Sequence, residues 1–92
     1  MNMKVFSQRF NRELYSMELP EDLIEKTKAI SKIFRVTRHM ANDMLFGNTI
    51  PPKDELERIA EILDVCPEWL SGAVDTRKAY SSREAVESLP LS

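Results

Sequence analysis

Apolar residues recur along most of the chain at intervals of three and four, separated by short polar breaks, which is the pattern of successive amphipathic helices. Phe6, Phe10 and Leu14 form one stripe, with Gln8, Arg9, Arg12 and Glu13 on other faces, predicting a first helix over about residues 5–15. Pro20 restarts the chain, and Glu21 and Asp22 are acids suited to the positive end of a helix dipole. Leu23, Thr27, Ile30 and Phe34 follow at helical spacing with Ile33 beside them, giving a second helix over residues 21–34. Arg35-Val36 reads as a short turn, and Thr37 is a good N-cap for a third helix over residues 38–46. Ala41, Met44 and Leu45 would face inward from it, and Gly47 stands where a helix end needs a left-handed residue.

Pro51 and Pro52 make residues 48–52 a loop, because two adjacent prolines forbid continuous helix. Leu56, Ile59, Ala60 and Leu63 mark a fourth helix over residues 53–63, with Asp54 and Glu55 in its first turn. Cys66-Pro67 opens a short fifth helix, with proline at the first helical position, Trp69 and Leu70 closing the core and Gly72 ending it. The expected architecture is all-α: a compact five-helix domain over residues 1–72 and a tail over 73–92. That tail is thin in large apolar residues; Ser82 and residues 84–89 could form one marginal helix.

Ninety-two residues suit one domain with one small core, and 42% hydrophobic with 30% charged residues is ordinary globular composition. No apolar run approaches the roughly 20 residues of a membrane span. The first ten residues lack the continuous apolar run of a signal peptide. The single cysteine, Cys66, suits a reducing compartment, so a cytoplasmic location is expected. Charge changes the picture once it is divided by position. Over residues 26–44, Lys26, Lys28, Lys32, Arg35 and Arg38 stand against Asp43 alone, a local charge of +4. The whole chain carries −2, so everything else carries −6. A basic stripe on an acidic body can hold phosphates locally and stay soluble.

Two short helices around a tight turn, closed by glycine and carrying the cations, are the sequence signature of a helix-turn-helix. Ile30, Ile33, Phe34, Val36, Ala41 and Met44 would lock the pair together, leaving Arg38, His39, Asn42 and Asp43 outside on the third helix. At this point residues 6–72, roughly three-quarters of the chain, resemble the lambda-repressor-like domain of phage repressors, Cro proteins and small bacterial regulators. The resemblance lies in Val36-Thr37-Arg38 at the turn and Phe46-Gly47-Asn48-Thr49-Ile50-Pro51 after the third helix. Leu-Glu-Arg-Ile-Ala-Glu-Ile-Leu-Asp-Val over residues 56–65 and Pro67-Glu68-Trp69-Leu70-Ser71-Gly72 complete it.

The resemblance implies sequence-specific binding of a double-stranded DNA operator and transcriptional regulation, as a phage or prophage repressor. Residue by residue, it implies that Thr27 and Lys28 meet the DNA backbone. Thr37, Arg38 and His39 would stand at the groove-entering end of the third helix, Asn42 and Asp43 one turn on, and Asn48 and Thr49 near phosphates. The chemistry suits those places: arginine forks onto guanine, asparagine pairs with adenine, and a carboxylate accepts from cytosine. The chain departs from the family pattern at Thr27, where glutamine is common, at Ser31 (alanine), at Arg35 (glycine) and at Ala41 (a larger aliphatic). The connection between Leu14 and Thr27 is also longer than usual.

Plainer readings stand beside these. A helical bundle with a solvated basic face would show the same stripe. His39 fits open solvent as well as it fits a contact, and with one cysteine and no second histidine it offers no metal site. Asp43 could pair with Arg38 or Lys32. The lysines suit sequence-blind phosphate contacts. Phe46 reads as a core or loop-anchoring aromatic in preference to a thymine contact, Trp69 as core, and Cys66 as a small residue at a helix start. No carboxylate pair, nucleophile triad or glycine-rich phosphate loop suggests an enzyme, and no cofactor is expected. A homodimer is expected, with the fifth helix or the tail as its surface. An antitoxin binding a protein partner through the tail, or an adaptor that has lost DNA binding, are the rival readings.

Overall fold

In the computed structural model, which describes residues 2–80, the first helix α1 (Met3–Tyr15) starts two residues before the apolar stripe predicts. The cause is Asn2, whose Oδ1 accepts from the backbone N–H groups of Lys4 and Val5 at 3.0 and 3.1 Å. The second helix, α2 (Leu23–Phe34), starts later than expected, because Asp22 is its cap and not a first-turn acid. Its carboxylate accepts from the Glu25 N–H at 3.0 Å, which leaves Glu21 outside the helix. Helices α3 (Arg38–Phe46) and α4 (Lys53–Leu63) have the predicted bounds, and Pro67 opens α5 (Pro67–Leu70). Among the described residues the fold is all-helical, with five helices and no strand. The marginal helix expected beyond Ser82 lies outside the described residues.

One core unites the five helices. Phe6, Phe10 and Leu14 of α1 meet Ile30 and Phe34 of α2, with Ala41, Met44 and Ile59 filling the centre from α3 and α4. The aromatic rings set the geometry: Phe6 stacks on Phe10 at 5.6 Å, and Phe10 meets Phe34 edge-on at 5.6 Å. Burying each ring stabilises by about 1.5–3 kcal/mol, and aromatic pairing adds about 0.5–1.5 kcal/mol. No described buried side-chain nitrogen or oxygen lacks a hydrogen-bond partner.

Several large apolar residues stand apart from that core, and three of them were expected inside it. Leu23 opens α2 and Ile33 lies at the edge of its stripe, and they are 46% and 36% exposed. Ile33 is therefore not one of the residues locking α2 to α3. Phe46, expected as a core or loop anchor, is 58% exposed at the last position of α3.

The segment set apart as a tail begins on the globule. The Cys66 N–H donates to the Lys78 carbonyl at 2.8 Å, and Arg77 makes two 3.0 Å bonds to the Glu13 carboxylate. Arg9 donates to the carbonyls of Trp69 and Val74. The guanidiniums of Arg9 and Arg77 lie 4.9 and 5.6 Å from the Trp69 ring, and Tyr80 packs against the core. Residues 73–80 thus form a strap over α1 and α5. No described helix is long and apolar enough to cross a membrane.

Candidate nucleic-acid interface

Helix α3 is held at both ends by different parts of the chain. At its start, the link from α2 occupies only residues 35–37. Arg35 takes the left-handed conformation (φ 56°, ψ 47°) that closes α2, and its N–H returns to the Ser31 carbonyl. The Ser31 hydroxyl donates to the Val36 carbonyl at 2.5 Å, stitching the turn to the helix before it. From α4, Arg58 reaches back to the last carbonyls of α2, with Nε 3.3 Å from the Phe34 oxygen and Nη2 3.1 Å from that of Arg35. A cation there answers the negative end of the α2 dipole. Thr37 then caps α3, its hydroxyl accepting from the Met40 N–H at 3.0 Å.

At the far end, α1 grips α3. The Leu45 carbonyl, one of the orphan acceptors of a helix C-terminus, receives the Ser7 hydroxyl at 2.7 Å and the Asn11 amide at 3.0 Å. Gly47 adopts φ 73°, and its N–H and that of Asn48 both return to the Asp43 carbonyl. Ser7, Asn11 and Arg58 are the residues that sequence reasoning missed. Ser7 and Asn11 carry a signal in hindsight, a polar pair one turn apart beside the Phe6–Phe10 stripe. Arg58 carries none, because its acceptors lie 23 and 24 residues earlier in the chain.

Ala41, Met44 and Leu45 are buried beneath α3, as expected. At about 100° per residue, Arg38, Asn42, Phe46, His39 and Asp43 share an arc of about 140° on its other side. Arg38 is exposed and enters none of the ion pairs among the described residues. Asn42 is half-buried and His39 stands in solvent. Asp43 pairs with His39, not with Arg38 or Lys32: His39 Nε2 lies 3.2 Å from its Oδ2.

The other candidate residues are more scattered. Thr37 spends its hydroxyl on the cap. Thr27 is 8% exposed with its hydroxyl donating to the Leu23 carbonyl at 2.7 Å, so it packs and presents no side-chain donor outward. Lys28 is half-exposed and shared with Glu25 at 3.5 Å. Lys32 and Arg35 are exposed, Asn48 is exposed, and Thr49 is half-buried beside Ile50. The structure therefore gathers Arg38, His39, Asn42 and Asp43 on one helix face and leaves Thr27 outside the set. Among the described residues there is no group of three or more histidine, cysteine or acidic side chains able to hold a metal ion.

Comparison with known proteins gives no relative: no family model, no curated protein and no solved structure matches the chain.

Proposed function

We propose that this chain is a sequence-specific double-stranded DNA-binding regulator, that α2 and α3 form a helix-turn-helix of the lambda-repressor-like kind, and that α3 enters the major groove. One observation carries the reading: Arg38, His39, Asn42 and Asp43 share the face of α3 turned away from the core, Arg38 and His39 exposed and Asn42 and Asp43 half-buried, on a helix fixed at both ends. Base readout needs polar side chains presented from a rigid support, since each good bidentate contact gives about 1–3 kcal/mol of discrimination only if its geometry is held. Arg38 offers the guanine fork and Asn42 the adenine pair. Asp43 accepts from cytosine, with His39 orienting its carboxylate. Lys28, Lys32, Arg35 and Asn48 flank the arc as phosphate partners, which fix register without reading sequence. The local charge of +4 supports the same assignment. By resemblance the regulator is a repressor of phage or prophage type. Pairing of two copies would match half-sites about 34–36 Å apart.

The test is selection from a random duplex pool, followed by titration at several salt concentrations. A few related sequences should be enriched, with binding that weakens steeply as salt rises. In that assay Arg38→Ala should lower affinity and relax preference at one base position. Lys28→Ala should weaken all sequences alike and flatten the salt slope by about one unit. Failure to retain any duplex at low salt would exclude the proposal, and indistinguishable effects of the two substitutions would refute the division of labour.

A further inference from the structure

Phe46 is the unexplained member of the α3 arc. It is 58% exposed, although its neighbours Met44 and Leu45 are buried, and it is the last residue of the helix before the Gly47 cap. Its position follows from helical geometry, not from loose packing. It lies one turn beyond Asn42 and two beyond His39, on the side facing away from Ala41, Met44 and Leu45. The Leu45 carbonyl is held by Ser7 and Asn11, and the backbone after Phe46 is fixed by Gly47 at φ 73°. The ring is thus carried on a rigid helix end in line with the polar readers.

We propose that Phe46 is a specificity-determining residue that reads the C5 methyl of thymine in the major groove; this rests on the proposed DNA reading and adds a base-specific contact to it. The methyl group is the one apolar feature that base edges show in that groove, and it distinguishes thymine there by apolar contact. Two features of the helix select this occupant over a protein surface. The ring shares its arc with Arg38, Asn42 and Asp43, whose hydrogen-bonding groups suit base edges, and exposed Asn48 stands two residues away beside the phosphate-binding side. Phe46 also lies about 12 Å along the helix axis from Arg38, about three to four base steps of a duplex. The C5 methyl sits on the backbone side of its base, within reach of a helix end leaving the groove.

The experiment uses the full chain and the duplex it selects. Each thymine is replaced in turn by deoxyuridine, which removes only the C5 methyl, and binding is titrated for the natural chain and for Phe46→Ala. One or two positions should lose about three- to fivefold in affinity per methyl with the natural chain. The same replacements should cost Phe46→Ala nothing, while the effect of Arg38→Ala stays at its own base position. Phe46 is 58% exposed and outside the core, so Phe46→Ala should melt with the natural chain, and Phe46→Leu, which keeps an apolar side chain there, should retain part of the methyl dependence. A flat scan, or equal losses with and without Phe46, overturns the proposal while leaving DNA reading intact. Altered self-association of Phe46→Ala with an unchanged thymine preference would give the ring to a protein contact and also overturn it. A chain that selects no duplex removes the DNA reading and this inference together.

Discussion

Arg35 sits at φ 56° and ψ 47°, where an L side chain crowds its own backbone. Glycine there would relieve about 1–2 kcal/mol of that crowding and give back up to about 1 kcal/mol through a freer unfolded chain. Arg35→Gly is therefore expected to stabilise the fold by about 0.5–1 kcal/mol, raising Tm by several degrees in a thermal melt. The same change removes a cation beside α3, so under the proposed function DNA affinity should fall and its salt slope shrink. Glu18 and Asp64 hold the same left-handed φ, so the strain alone assigns Arg35 no outside role; a variant that gains stability and keeps its affinity would deny Arg35 a part in binding. Arg58 is the opposite case, a charge employed entirely within the fold. Its two bonds to the end of α2 are charge-assisted, and Arg58→Met should destabilise by about 1–2 kcal/mol in a denaturant titration. The Val36 amide should then exchange with solvent faster than amides in the middle of α2.

The helices themselves were largely readable from the sequence. Thr37 and Gly47 bracket α3 with unmistakable chemistry, and Pro52 followed by the Leu56–Ile59–Ala60 spacing does the same for α4. The starts of α1 and α2 were misjudged by two residues each, because apolar spacing reports the buried face and Asn2 and Asp22 act outside it. Phe46 was misjudged for a related reason: its apolarity argued for burial, whereas its angular place beside Asn42 decided for exposure. The proposed readers Arg38, His39, Asn42 and Asp43 were legible as a helix face. The supports of that face were not, since hydrogen bonds from Asn11 to Leu45 and from Arg58 to Phe34 join residues 34 and 24 apart in sequence. Asn11→Ala tests the support directly. It should lower stability by about 1 kcal/mol and weaken binding to the selected duplex more than binding to random DNA. An equal loss on both would mean that α1 does not tune the reading geometry.

At the scale of the whole chain, the strap over residues 73–80 changes what Trp69 experiences. The indole is 4% exposed, flanked by Arg9 and Arg77, and residues beyond Gly72 help to cover it. Arg77→Ala should loosen this cover, seen as a red shift and easier quenching of tryptophan fluorescence; an unchanged spectrum would mean that the strap holds without its ion pair. Hydrogen bonding to Glu13 raises the Arg77 guanidinium above its ordinary range. A raised folded-state value means that this contribution is complete below the unfolded pKa and is lost only as the pH climbs through the raised one. From neutral to mildly alkaline solution the emission should therefore stay constant.

The two-sided hold on α3 bears finally on when the protein can act at all. Synthesis delivers α3 before the arginine that secures its entrance, and the helix that secures its exit lies at the opposite end of the same stretch. A nascent chain ending near residue 52 would own the whole proposed reading face and the α1 grip on its exit, and yet lack the arginine that secures its entrance. If the proposed function holds, heating should likewise abolish duplex recognition in step with the fold, with no half-melted species still able to discriminate one sequence from another.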